Sequence, residues 1–446
     1  MDIINHTPFP ALAMEGGDQY DHEFHVLVLR QTLSFGHGEL GYADKQVPLC
    51  ETDEFFGNPA SSSVRQESDL CQYKPKCDII VNATAHAIPG KATRRLEVRL
   101  LVLQPDGFVA SEPEQARAKP SSAKRLIDKR LWVYGEREFK RKLWLVRLAQ
   151  WSVKWATLTM LRPPAWKLTR AKPFTALPLR YEFAYGGQCR VNGGDKAARK
   201  VRRKNLLTPQ QRANSVDRAA IPAQQAIAHT VFDPNPFGRG FAQAWAVKAR
   251  SDKAIPAPRI ERIGGLVTAR QFSRWLTASD TAAKTVREHV PLQNVAGYGV
   301  RSKCHPGRSR LLGTVDANFV QSQAPLPKDF DPAYWNAAPP DQQLEFLRGG
   351  ETFELANLCA PDTPGATADA NGNTILRLTL PRHECFVRLE VEHAEALDAP
   401  MHIDTVIVEP DERRLTLVWR LTVAKLTQFP VRLCELRMRP RVEGAR

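Results

Sequence analysis

Residues 403–423 read IDTVIVEPDERRLTLVWRLTV, and this stretch decides the fold. Ile403, Thr405 and Ile407 lead into Glu409-Pro410-Asp411-Glu412-Arg413, and Leu415, Leu417, Trp419, Leu421 and Val423 return in strict alternation. A side-chain period of two belongs to a strand, and proline with flanking acids supplies turn chemistry. The stretch predicts an antiparallel β-hairpin.

The same period recurs upstream. Leu96, Val98, Leu100 and Val102 alternate with Arg95, Glu97 and Arg99, and Leu179, Tyr181, Phe183 and Tyr185 alternate with Arg180 and Glu182. EFHVLVL (Glu23–Leu29) and RKLWLVRL (Arg141–Leu148) are apolar on both faces, as central strands are. Gly186-Gly187 is expected to end its strand where another backbone passes close. Helical signals are fewer: Thr208-Pro209 as a cap, Pro340–Arg348 stopped by Gly349-Gly350, and Leu266–His289 with Phe272, Trp275 and Leu276 at helical spacing. Thirty-three prolines, as at Pro163-Pro164 and Pro325-Leu326-Pro327, predict long loops over the sheets.

The expected fold class is therefore mainly β, a β-rich α+β protein of two antiparallel β-sheet lobes with long Pro-rich loops and a few short helices. The expected division is an N-terminal β lobe over 1–191, a basic connector, helical or loose, over 192–230, and a C-terminal β lobe over 231–446 with short helices and the terminal hairpin. With 446 residues, 43% of them hydrophobic and 25% charged, the chain can bury a large core.

Sixty-three Lys and Arg against 48 Asp and Glu leave a formal charge of +15. Such a charge attracts nucleic acid, anionic lipid or an acidic protein alike. Its densest run is Lys196, Arg199, Lys200, Arg202, Arg203 and Lys204, and with no aromatics interleaved it reads as a solvated connector before a nucleic-acid patch. None of the eight cysteines forms a C-x-x-C pair, which disfavours a zinc site. Met1 to Phe9 lacks a secretory pattern and no run of 18 apolar residues could span a bilayer, so a cytoplasmic protein with reduced thiols is expected.

Four turn-rich signatures carry the functional information. They are Glu67-Ser68-Asp69-Leu70 with Lys74-Pro75-Lys76-Cys77-Asp78; Pro173-Phe174-Thr175 with Tyr185-Gly186-Gly187; Asn235-Pro236-Phe237-Gly238-Arg239-Gly240; and the run from Asp329-Phe330-Asp331 through Asn336-Ala337-Ala338-Pro339 to Gly349-Gly350-Glu351. Proline sets φ, glycine permits φ > 0, and Asp and Asn bond nearby main chain. Residues spent on shape point to a binding body rather than an enzyme. In order and spacing, together with Ile4-Asn5-His6-Thr7-Pro8-Phe9, Asn357-Leu358, Asp404-Thr405 and Trp419-Arg420, they resemble a bacterial family catalogued as a domain of unknown function and associated with type VI secretion. The resemblance implies a non-catalytic adaptor or chaperone without a cofactor. It would bind a secreted effector toxin in the cytoplasm and help load it onto the spike, through VgrG or a PAAR-type tip.

Glu67 and Asp69 could act as the acid and base of a hydrolase, but their loop setting favours capping of main chain or pairing with Lys or Arg. His22 and His25, three apart on a strand, would face opposite ways, which disfavours joint metal ligation. His383-Glu384-Cys385 has the residue types of a thiol nucleophile without an indicated partner. There is no G-x-S-x-G, Walker loop or Rossmann glycine pattern. The partner-binding candidates are Arg239 and Phe237, presented by the glycine-rich turn, and the aromatics Tyr334 and Trp335. The alternative for the glycine-rich turn is a structural one, with Phe237 plugging the core and Arg239 merely exposed, and for Tyr334 and Trp335 the favoured alternative is that they clamp the long loop to the sheet.

Overall fold

The structure is a computed structural model that describes residues 2–104, 124–142, 165–191, 228–277, 295–392, 395–425 and 430–440. The hairpin forms as expected: His402–Glu409 and Arg414–Ala424 pair antiparallel around a 3-10 turn at Pro410–Glu412, with Arg413 at φ 53° closing it. A register shift between Ile403 and Thr405 makes Asp404 a β-bulge, which breaks the strict alternation read from sequence.

Both hairpin strands are interior strands of a seven-stranded sheet. Its order is Ala11–Gly17, Glu23–Ser34, Arg414–Ala424, His402–Glu409, Cys77–Val81 and Gln343–Leu344, with Gly41–Tyr42 added against Glu23–Ser34. The pairing is antiparallel except between His402–Glu409 and Cys77–Val81. Glu23–Ser34 is buried along most of its length, as its two apolar faces foretold. A second, six-stranded antiparallel sheet runs Ile260–Arg262, Arg125–Tyr134, Arg95–Leu103, Thr352–Ala356, Thr374–Thr379, Ala366–Ala368. A four-stranded sheet runs Asp2–Asn5, Val431–Pro440, His383–Val391, Leu397–Pro400. One apolar core joins all three, with Leu27 and Trp419 from the first, Val98 and Leu355 from the second, and Val387 and Leu436 from the third. The protein is strand-rich, with mostly antiparallel sheets and a few short helices.

The expected split between 1–191 and 231–446 is not how the sheets are built. Both large sheets interleave strands from either side of 192–230, and so does a second, smaller core that gathers Phe139, Trp166 and Cys189 with Phe241, Ile255 and Phe272. The cost of closing a loop rises only slowly with its length, so distant strands pair readily and the order of the chain does not partition a sheet protein. Residues 192–227, including the basic run and Thr208-Pro209, lie outside the described residues, as does 143–148 of the expected strand.

Two further local expectations are corrected. Tyr181–Phe183 is a 3-10 turn rather than a strand, and only Tyr185–Gly186 extends, pairing parallel with Arg239–Gly240. The turn is fixed by tertiary bonds: Asn235 Nδ2 donates to the Tyr181 carbonyl and the Arg259 amide donates to that of Phe183. Pro340–Arg348 is not a helix but a 3-10 turn, Pro340–Gln342, followed by the edge strand Gln343–Leu344. There the buried Gln342 amide donates to the Ile79 and Tyr298 carbonyls, drawing the chain onto the sheet edge. The third helical expectation is realised over Ala269–Thr277, with Phe272 and Leu276 buried; 278–289 lies outside the described residues.

Candidate functional site

One face of the seven-stranded sheet packs on the main core. The other carries Val26, Val28 and Val418 in a small separate cluster, and beside them the charged residues of two long loops, about 43–76 and 301–342. The signatures meet here. Arg30, at the end of the apolar run of its strand, is 2% exposed and donates to Asp69 at 2.6 Å and to Gln66 Oε1 at 2.8 Å. Asp69 also accepts from the Cys50 amide. Glu67 takes both terminal nitrogens of Arg308, whose Nε donates to the Tyr334 carbonyl.

Asp78 is fully buried and accepts from Lys74 Nζ, Asn336 Nδ2 and the Ala337 and Ala338 amides. Arg420 pairs with the bulge residue Asp404 and donates to the Asp69 and Cys71 carbonyls. Burial alone would lower the pKa of Lys74, but Asp78 and Asp404 outweigh it and hold the ammonium above the usual lysine value. Each charge therefore has its counter-charge within the lattice, which makes removal of any one partner costly.

The second and third signatures lock onto each other. A Cβ on Gly186 would stand 2.2 Å from the Asn235 carbonyl oxygen, and one on Gly238 would stand 2.5 Å from Asn235 Nδ2. Gly186-Gly187 ends its strand for the reason expected: a second backbone occupies the space of its side chains.

These loops frame a cavity of about 350 Å³, walled by Phe55, Val64, Tyr181, Phe237, Val300 and Arg301 among others. Of the four partner-binding candidates, Phe237 lines it, half-buried. Arg239 is also half-buried, donating Nε to the Glu182 carbonyl with its guanidinium 4.6 Å from the Phe183 ring centre. Tyr334 and Trp335 form a three-ring cluster with the buried Phe330, and Arg308 lies 5.3 Å from the Tyr334 ring centre. The four thus fall in three local environments, with Tyr334 and Trp335 sharing one.

Glu67 and Asp69 are held by different arginines, Arg308 and Arg30, and not directed at a shared substrate position. His22 is exposed beside Asp18, whereas His25 is buried in the sheet. His383 bonds Gln31, and burial pushes the Cys385 thiol up to about 12, far from a thiolate at neutral pH. Among the described residues no group of three or more His, Cys, Asp and Glu side chains is placed to hold a metal ion, and no helix is long and apolar enough to cross a membrane. All eight cysteines are free and only Cys304, on the cavity wall, is exposed.

Sequence reading found the acids of the lattice, with Lys74 and Arg420 among the quoted motifs, but missed Arg30, Arg308 and the cavity. Arg30 had a signal: an arginine following a run buried on both faces needs a buried counter-ion. Arg301 and Arg308, in a loop of mixed composition, had none.

No curated protein and no solved structure matches the chain. A family model does match, over residues 21–420, a span that holds all four signatures and both lattice loops. The chain belongs to the bacterial family DUF2169, described as an uncharacterized protein conserved in bacteria.

Proposed function

We propose that the protein is a non-catalytic adaptor, a body that binds a secreted effector of a type VI secretion system and helps load it onto the VgrG or PAAR spike. The observation that carries the reading is the use made of the signature residues. Glu67, Asp69, Asp78 and Asp404 are each matched by a cation in a lattice that shapes loops. A rigid loop surface beside open sheet edges suits stoichiometric binding. The edge strand Asp2–Asn5 leaves Ile3 and Ile4 exposed at 39% and 43%, which offers a place for strand addition. The net charge of +15 favours an acidic partner surface.

The test is co-expression with the products of neighbouring genes. A secreted toxin should co-purify in a fixed ratio and lose solubility without this chain. Turnover of a substrate by the lone chain, abolished by Asp69→Asn in a variant that still folds, would replace the adaptor with a hydrolase.

A further inference from the structure

We propose that the 350 Å³ cavity is a binding site for a carboxylate carried on an apolar body, with Arg301 as its anchor. This goes beyond the adaptor reading and does not depend on it. The volume lies in the lower range of sites for small organic ligands, and the wall is largely apolar, with Phe55, Val64, Phe237 and Val300. Prolines at positions 59, 234, 236, 339 and 340 also line it, so its rim is set before any ligand arrives.

The charges on the wall specify the ligand. Arg262 is matched by Asp341 at 3.0 Å and Lys303 by Asp53 at 2.6 Å. Among the described residues the Arg301 guanidinium has neither ion pair nor hydrogen bond, and its buried Nε has no acceptor. Three cations against two carboxylates leave one positive charge on the wall, at Arg301. Burial, with the neighbouring Arg308, holds the pKa of Arg301 below the usual arginine value, against a partial offset from Tyr181, Asp78 and Glu67. A planar guanidinium fork fits a carboxylate with two parallel hydrogen bonds. A single negative charge is favoured over a doubly charged phosphate, because Asp53 and Asp341 line the same space and would repel the second charge.

Two sources share this chemistry, a free organic acid and the C-terminal carboxylate of a polypeptide, and the experiment separates them. Calorimetry on the full chain would titrate 3-phenylpropanoate, and an N-acetylated valine–phenylalanine dipeptide acid, each against its own amide. Both acids should bind, with the amides at least about tenfold weaker. Arg301→Gln should bring the acids down to the level of the amides. Tighter binding of the dipeptide acid assigns the site to a chain terminus, and tighter binding of 3-phenylpropanoate assigns it to a small acid; both support the site. Equal binding of acid and amide, or no binding of any probe up to about 10 mM, overturns it. The comparison of acid with amide uses the unaltered chain, so it decides the matter even if Arg301→Gln does not fold.

Discussion

Arg308 is completely buried, and its two terminal nitrogens each meet an oxygen of Glu67 at 2.6 Å, which ties the loop after Val300 to the loop before Lys74. Arg308 sits in the four-residue helix Pro306–Ser309 and Glu67 directly follows the short strand Val64–Gln66, so the pair fastens two short elements to each other. Glu67→Gln leaves an uncompensated buried guanidinium, and the expected loss is roughly 3–5 kcal/mol in urea unfolding. A loss below about 1 kcal/mol would place the pair with surface ion pairs and deny it this role.

Asp78 accepts the Ala337 and Ala338 amides at 2.8 and 3.1 Å and anchors the Asn336 side chain. Asp78→Ala removes the acceptor of four donors at once and strands the Lys74 ammonium, so it should unfold the chain or cost several kcal/mol. Asn336→Ala is the milder probe. It should leave the fold intact but speed hydrogen exchange at Ala337 and Ala338; unchanged exchange there would mean that Asp78 holds the segment without help from Asn336.

Legibility followed the range of the interactions. The hairpin at 403–423 and the strand Arg95–Leu103 were readable because a period of two is written in neighbouring residues. The alternation at 179–185 misled because Asn235 and the Arg259 amide, both distant in sequence, bend that segment into a turn. Gln342 overrode a helical pattern in the same way, through the Ile79 carbonyl on the strand Cys77–Val81 and the Tyr298 carbonyl. At the lattice, sequence supplied Glu67 and Asp69 and the preference for pairing with Lys or Arg. It could not supply Arg30 and Arg308 as the partners, because ion pairing across 39 and 241 positions leaves no local trace. The cavity was invisible for the same reason, being bounded by loops that meet only in the folded chain.

Gly186 sits at φ 154°, with its missing side chain's place taken by the Asn235 carbonyl. Gly186→Ala must push two backbones apart, since neither the Asn235 carbonyl nor the Tyr185–Gly186 pairing with Arg239–Gly240 can yield separately. The expected cost is about 1–3 kcal/mol. Thermal melting would show it. Gly90→Ala is the control, where φ is also positive but nothing lies within 4 Å, and its smaller loss would isolate the steric part. Equal losses at the two positions would assign the whole effect to φ.

Lys129 gives the fold a pH dependence of known sign. Its side chain is 5% exposed and lies over the Tyr298 ring, with Asp341 at 2.9 Å and Gln342 Oε1 at 2.6 Å. Burial brings its pKa down to about 8, against 10.5 for a free lysine, because Asp341 is 35% exposed and shared with Arg262 and so only partly offsets the loss of water. Asp341 itself is lowered, burial opposing and the two cations prevailing, as expected of an acid with two partners. Between pH 8 and 10.5 the unfolded chain holds a proton that the folded chain has released, so stability from this group rises with pH across that window and the penalty is complete below it. Lys129→Met has no such proton. The stability of the native chain relative to Lys129→Met should therefore climb by roughly 3 kcal/mol over the window, measured by urea unfolding at a series of pH values. A difference that stays flat would mean that Asp341 fully compensates the buried ammonium.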